Sequence, residues 1–154
     1  MRKNVLVTGG AGFIGSHLCE AALARSFSVA CIDDFNDYYD PKIKENNIKE
    51  FSKNKNFRLY RKSITDLKAL DSIFSENKID TVLHIAARAG VRASIENPPI
   101  YLKTNVEGTL NLLEMSRKFN VAKFVFASSS SVYGIGKVPF SEDACANNPI
   151  SPYA

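Results

Sequence analysis

Apolar residues fall along this chain in short runs, separated by longer stretches in which they recur every three or four positions. The short runs are VLVT at 5–8, SVACI at 28–32, NFRLY at 56–60, TVLHI at 81–85 and KFVFA at 123–127. Their length and β-branched or aromatic content predict strands, and unbroken apolar runs suit strands covered on both faces. Helical spacing links Phe13, Ile14, Leu18, Ala21, Ala22 and Leu23, which predicts a helix over about 12–25. Pro41 is placed as the first residue of a second helix, reaching about residue 51. Leu67, Leu70, Ile73 and Phe74 mark a third, capped by Thr65 or Asp66. A long fourth helix, about 98–119, carries Val106, Leu110, Leu113 and Met115. Residues 35–40 and those after 134 read as loop. Strands alternating with helices predict an α/β fold with a parallel sheet covered on both faces.

The first strand runs into Thr8-Gly9-Gly10-Ala11-Gly12-Phe13-Ile14-Gly15. Gly9 and Gly10 are suited to the positive φ of a sharp strand-to-helix turn. A bare Gly12 lets a phosphate approach the backbone, and a bare Gly15 lets the helix sit close. The free N–H groups and the positive end of the helix dipole then face a diphosphate. With a legible strand before and helix after, the motif predicts a Rossmann-type doubly wound sheet of strand order 3-2-1-4-5. Asp33 ends strand two about 20 residues further on, where a carboxylate accepts hydrogen bonds from ribose hydroxyls. It would repel a 2′-phosphate, and the next arginine is Arg58, so the expected cofactor is NAD.

At 154 residues the chain is expected to form one domain, 1–154. Hydrophobic content of 45% and charged content of 23% are ordinary globular values. There is no run of about 20 apolar residues and no signal-peptide pattern, so neither a membrane nor export is expected. Cys19, Cys31 and Cys145 are odd in number and far apart, as in a cytoplasmic protein with reduced thiols. The net charge of +4 comes from a basic excess between Pro41 and Lys62, which reads as a solvated helix and loop rather than a nucleic-acid patch. His84, inside an apolar strand, reads as a core residue, and no neighbouring ligand set suggests a metal.

The run SSSSVYG at 128–134 follows strand five at the carboxyl edge of the sheet, where open α/β folds bind ligands. No G-x-S-x-G accompanies it, which argues against a hydrolase. In order, TGGAGFIG, the acidic end of strand two, HIAA, TNVEGTLNLLE, SSSSVYG and the closing SPYA resemble the extended short-chain dehydrogenase/reductase family. Within it, DDFNDYYD at 33–40, AGVRASIENP at 89–98 and VPFSED at 138–143 look most like UDP-glucuronate 4-epimerases.

The resemblance implies interconversion of UDP-glucuronate and UDP-galacturonate through a transient 4-keto sugar, in the service of polysaccharide synthesis. It places Gly9, Gly12, Phe13, Ile14 and Gly15 along the NAD diphosphate and Asp33 on the adenosine ribose, with Asn36 and Asp37 nearby. Ser63 and Ile64 would meet the adenine, and Ala86 and Ala87 the nicotinamide, backed by Asn105. Ser129 and Tyr153 match the catalytic Ser/Thr and the tyrosine of YxxxK. Ser130 and Ser131 would touch the sugar carboxylate, and Arg92 is a further candidate for substrate contact.

Two departures stand out. Lys62-Ser63-Ile64 replaces the family's usual Gly-Asp-Ile, which removes a carboxylate from the adenine site. The lysine of YxxxK would fall beyond Ala154. A cation beside the tyrosine favours its phenolate form, so the chain alone is expected to be an inactive, incomplete Rossmann domain, truncated before the last strands and the substrate domain. The complete protein would bind a UDP-sugar and form a homodimer through a helix bundle. A hexose 4-epimerase, another epimerase or dehydratase of the same scaffold, and a non-catalytic NAD-binding module are the competing readings.

Overall fold

Successive strand residues point to opposite faces of a sheet, and this alternation divides the core in two. Val5, Val7, Val29 and Cys31 face one side with Cys19, Ala22 and Leu23 of the first helix. Leu6, Ala30, Ile32 and Val82 face the other with Leu70, Ile73, Phe74 and Leu112. These contacts come from a computed structural model, which describes residues 3–154. The strands are β1 (Asn4–Thr8), β2 (Ser28–Asp33), β3 (Phe57–Arg61), β4 (Thr81–His84) and β5 (Lys123–Phe126). All neighbours pair in parallel, in the order β3-β2-β1-β4-β5. That is the order expected from the sequence.

Helix α1 (Phe13–Ala24) covers one face, while α3 (Leu67–Asn77) and α6 (Gly108–Lys118) cover the other. Asp66, rather than Thr65, caps α3 by accepting the Ala69 N–H at 3.0 Å. Helix α2 (Pro41–Ile48) stops short of the expected residue 51. The Phe51 ring instead meets Phe57 of β3 edge-on at 5.0 Å, which closes the connection to that strand.

The expected single helix over about 98–119 is three segments. Helix α5 (Pro98–Tyr101) passes into a π-helical stretch, Leu102–Glu107, before α6 begins. A short helix α4 (Val91–Glu96) precedes them, where the sequence suggested only loop. The serine run forms a 3₁₀ turn, Ser130–Tyr133, and residues 135–154 contain no helix or strand. Because every strand runs the same way, the loops that follow all five gather along one edge of the sheet.

Candidate functional site

The glycine turn lies at the centre of that edge. Gly9 has φ +65°, and a β-carbon there would stand 2.9 Å from the Ala86 backbone. A β-carbon on Gly15 would stand 2.1 Å from the Gly9 carbonyl oxygen, so α1 starts in direct contact with the turn. Gly10 differs from expectation. Its φ is not positive, and it is small because a β-carbon would stand 2.5 Å from the Cys31 sulfur. Below it, a hydrogen bond with the Cys19 thiol and burial push the Cys31 thiol far up, so Cys31 packs as a neutral group. Helix α1 begins with no side-chain cap, and Gly12, Phe13, Ile14 and Gly15 line an open cleft. Uncapped N–H groups and the helix dipole there suit an anion.

Asp33, Asn36, Ser63, Ile64, Ala86 and Ala87 line the same cleft. Asp33 is buried, and its carboxylate is already engaged. One oxygen accepts the Ala11 N–H at 3.2 Å; the other accepts the Phe35 N–H at 3.0 Å and the Lys44 ammonium at 2.8 Å. Lys44 is itself buried and lines the cleft. Sequence reasoning missed it by treating the basic run as wholly solvated. Nothing in its own neighbourhood sets Lys44 apart from the other lysines of that run.

The loop after β4 is held from behind by Asn105. Its side-chain oxygen accepts the Arg88 N–H at 2.7 Å, and its amide donates to the Arg88 carbonyl at 2.9 Å. The π-helical turn places Asn105 there. Thr109 donates to the Asn105 carbonyl at 2.6 Å, so its oxygen is left to accept from His84 Nε2 at 2.8 Å. His84 Nδ1 is then the bare nitrogen, and it accepts the Thr8 hydroxyl at 2.7 Å. The Thr8 oxygen in turn accepts the N–H groups of Ile85 and Ala86, each at 3.2 Å. Burial pushes the His84 pKa down to about 4, so the ring is neutral at pH 7 and ties β1, β4 and α6 together.

Six residues named from the sequence, Asp37, Arg92, Ser129, Ser130, Ser131 and Tyr153, do not line this cleft. Asp37 is at the exposed tip of the turn that Asn36 closes by accepting the Tyr38 N–H at 3.2 Å, and does not line the cleft. Arg92 lies on the outer face of α4, its side chain 96% exposed and paired with Glu96 at 3.6 Å. Arg88, not Arg92, reaches the cleft wall. The Ser129 hydroxyl accepts the Ser131 N–H at 3.2 Å and so caps the 3₁₀ turn that carries Ser130 and Ser131. Tyr153 packs its ring edge-on to Tyr101 at 6.2 Å, and its N–H donates to Ser94. No hydrogen bond joins Ser129 to Tyr153 among the described residues. Nor do the described residues contain a group of three metal-binding side chains, or a helix long and apolar enough to cross a membrane.

A glycine turn at the head of a parallel sheet, with an acidic end to β2, is shared by many nucleotide-binding proteins, and comparison with known proteins narrows it. A family model described as GDP-mannose 4,6 dehydratase matches residues 6–154. The chain belongs to that family. Relatives of this family member include the UDP-glucuronate 4-epimerase of Thermodesulfobacterium geofontis, 48% identical over 149 residues, which cover 97% of this chain and 46% of that protein. The Bacillus cereus UDP-glucuronic acid 4-epimerase, solved with UDP-glucuronic acid and NAD, is 38% identical with a TM-score of 0.86. That match covers 97% of this chain and 47% of the other. The Thermotoga maritima UDP-glucose 4-epimerase, solved with UDP-glucose, is 37% identical with a TM-score of 0.84, over 97% of this chain and 46% of the other. This family member thus spans about half the length of the curated relatives it matches.

Proposed function

We propose that this chain, 1–154, is the NAD-binding domain of a nucleotide-sugar 4-epimerase acting on UDP-glucuronate and UDP-galacturonate. The observation that carries the reading is one continuous cleft joining the bare N-terminus of α1, the Asp33 carboxylate and the Ala86–Ala87 backbone. The cradle fits the cofactor, since a β-carbon on Gly12 would intrude between the Gly9 carbonyl at 3.2 Å and the Tyr39 hydroxyl at 3.7 Å. The α1 N–H groups would hold the diphosphate and Asp33, steadied by Lys44, the adenosine ribose. Ser63 and Ile64 would flank the adenine.

Bound NAD would take up a hydride from the sugar C4 and return it to the opposite face. Tyr153 would hold the 4-hydroxyl proton and Ser129 would orient its transfer. Among the described residues the two are not hydrogen-bonded to each other and no cation is paired with Tyr153, so the 154-residue species by itself is expected to turn over negligibly. An epimerase is favoured over a dehydratase by Ser130-Ser131. Elimination of water needs an acid and a base beside the catalytic Ser/Thr, and two neutral hydroxyls supply neither. The UDP-glucuronate substrate is favoured over UDP-glucose by the epimerases of that name among the relatives and by the motifs at 33–40, 89–98 and 138–143.

NADH fluorescence titration tests the cofactor reading. The wild-type chain should bind, and Gly12→Val, which fills the cradle, should weaken binding by at least about tenfold while the far-UV spectrum is kept. Equal affinity of the two proteins would refute it.

A further inference from the structure

We propose that residues 34–40 form a strap across the dinucleotide cleft, latched by the Tyr38 hydroxyl on the Ala89 carbonyl, and that this latch sets how fast the dinucleotide enters and leaves. The rate claim rests on the NAD reading above; the latch itself does not. Topology supplies the first argument. β2 and β4 lie on opposite sides of β1, so a bond from the loop after β2 to the loop after β4 has to pass over the glycine turn between them. Tyr38 makes that bond, donating to the Ala89 carbonyl at 2.9 Å across 51 residues of sequence. Its neighbour Tyr39 places its hydroxyl above Gly12, the position where a phosphate would approach the backbone.

The two ends of the strap are built differently. At its base, between β2 and α2, it is tied by several hydrogen bonds. Asp34 accepts the Asn36 N–H, Asn36 accepts the Tyr38 N–H, and Asp40 caps α2 by accepting the Lys42 N–H at 2.9 Å. The Arg61 guanidinium also stacks 4.0 Å from the Phe35 ring. The far end is held by the Tyr38 bond to Ala89, by the contact of its hydroxyl with the Tyr101 phenol, and by Arg88, whose guanidinium lies 5.7 Å from the centre of the Tyr38 ring. The catch itself is fixed, because buried Tyr101 donates to the same Ala89 carbonyl at 2.7 Å. Burial pushes the Tyr101 phenol up, which keeps it a donor. Gly90 leaves room for the bolt, since a β-carbon there would stand 2.9 Å from the Tyr38 oxygen. Tyr38 is 48% exposed against 4% for Tyr101, so Tyr38 is the partner that releases. One neutral, half-exposed hydrogen bond is weak in net terms, as a reversible catch requires.

Tyr38→Phe removes the bond and keeps the ring. Without cofactor, amide exchange in segment 35–40 should quicken by roughly fivefold in this variant, one hydrogen bond's worth of protection, while segment 86–90, still held by Tyr101 and Asn105, should not change. Unchanged exchange in 35–40 overturns the latch, whatever the cofactor does. With NADH followed by stopped-flow fluorescence, the association and dissociation rates should both rise about fivefold to tenfold, with Kd changing less than about threefold. A rise in the dissociation rate alone marks a lost ligand contact and overturns the gate. If the wild-type chain binds no NADH at all, the rate claim falls with the NAD reading, while the exchange result still decides the latch.

Discussion

Each nitrogen of His84 has one partner, and the Thr109 bond to Asn105 leaves only one tautomer that satisfies them all. The neutral ring is therefore a requirement of the fold. Its pKa of about 4 lies below the ~6.5 of an unfolded histidine. Between those values the unfolded chain binds the proton more readily, so stability is fully present above pH ~6.5 and falls as pH drops towards 4, by up to about 3 kcal/mol. Urea unfolding of wild type and His84→Gln at pH 7 and pH 4.5 checks this. The wild type should lose more stability between the two pH values than the variant; equal losses would refute the assignment. The core placement of His84 was legible because a lone histidine in TVLHI has apolar neighbours on both sides. The burial of Lys44 was not legible. Among so many lysines only the packing of α2 beside α1 singles out the one that reaches Asp33.

Elements meet most tightly where β1 turns into α1. With the Gly9 carbonyl oxygen 2.1 Å from the place of a Gly15 β-carbon, no side-chain rotation can relieve Gly15→Ala, and α1 would have to lift from the turn. A loss of about 1–3 kcal/mol in chemical denaturation is expected, the usual range for overpacking against backbone. A stability within experimental error of wild type would show that the contact is slack. The spacing of the glycines made this junction readable in advance. The π-helical turn was not, because Leu102–Glu107 keeps the apolar spacing of an ordinary helix and only the pull of Asn105 towards Arg88 distinguishes it. The same limit explains Arg92. Its distance in sequence from β4 suggested the cleft, but α4 turns it to the outside.

Across the whole molecule the apolar surface left open lies at the β5 edge and along the helical segment beside it. Val125 and Phe126 of the edge strand are 44% and 55% exposed. Leu102, Val106, Leu110 and Leu113 form an exposed stripe along the π turn and α6. Contiguous exposed apolar surface promotes association. The isolated chain is expected to self-associate in the micromolar range, and the double variant Leu102→Lys, Leu110→Lys should shift it towards monomer in sedimentation velocity. Identical sedimentation of both proteins at every concentration would refute a role for the stripe.

By itself the sequence determined the parallel sheet, its strand order, the glycine cradle and the acidic end of β2. These depend on local patterns: apolar runs too short for helices, glycines where a side chain has no room, and a carboxylate at a strand's end. Only the tertiary structure decided that Lys44 balances Asp33, that Asn105 braces the loop after β4, that Arg88 replaces Arg92 at the cleft, and that Tyr38 reaches across to Ala89. Each of those joins residues from different strand-following loops or helices. Such pairings depend on which loops the sheet brings side by side, and neither residue carries that information in its own neighbourhood.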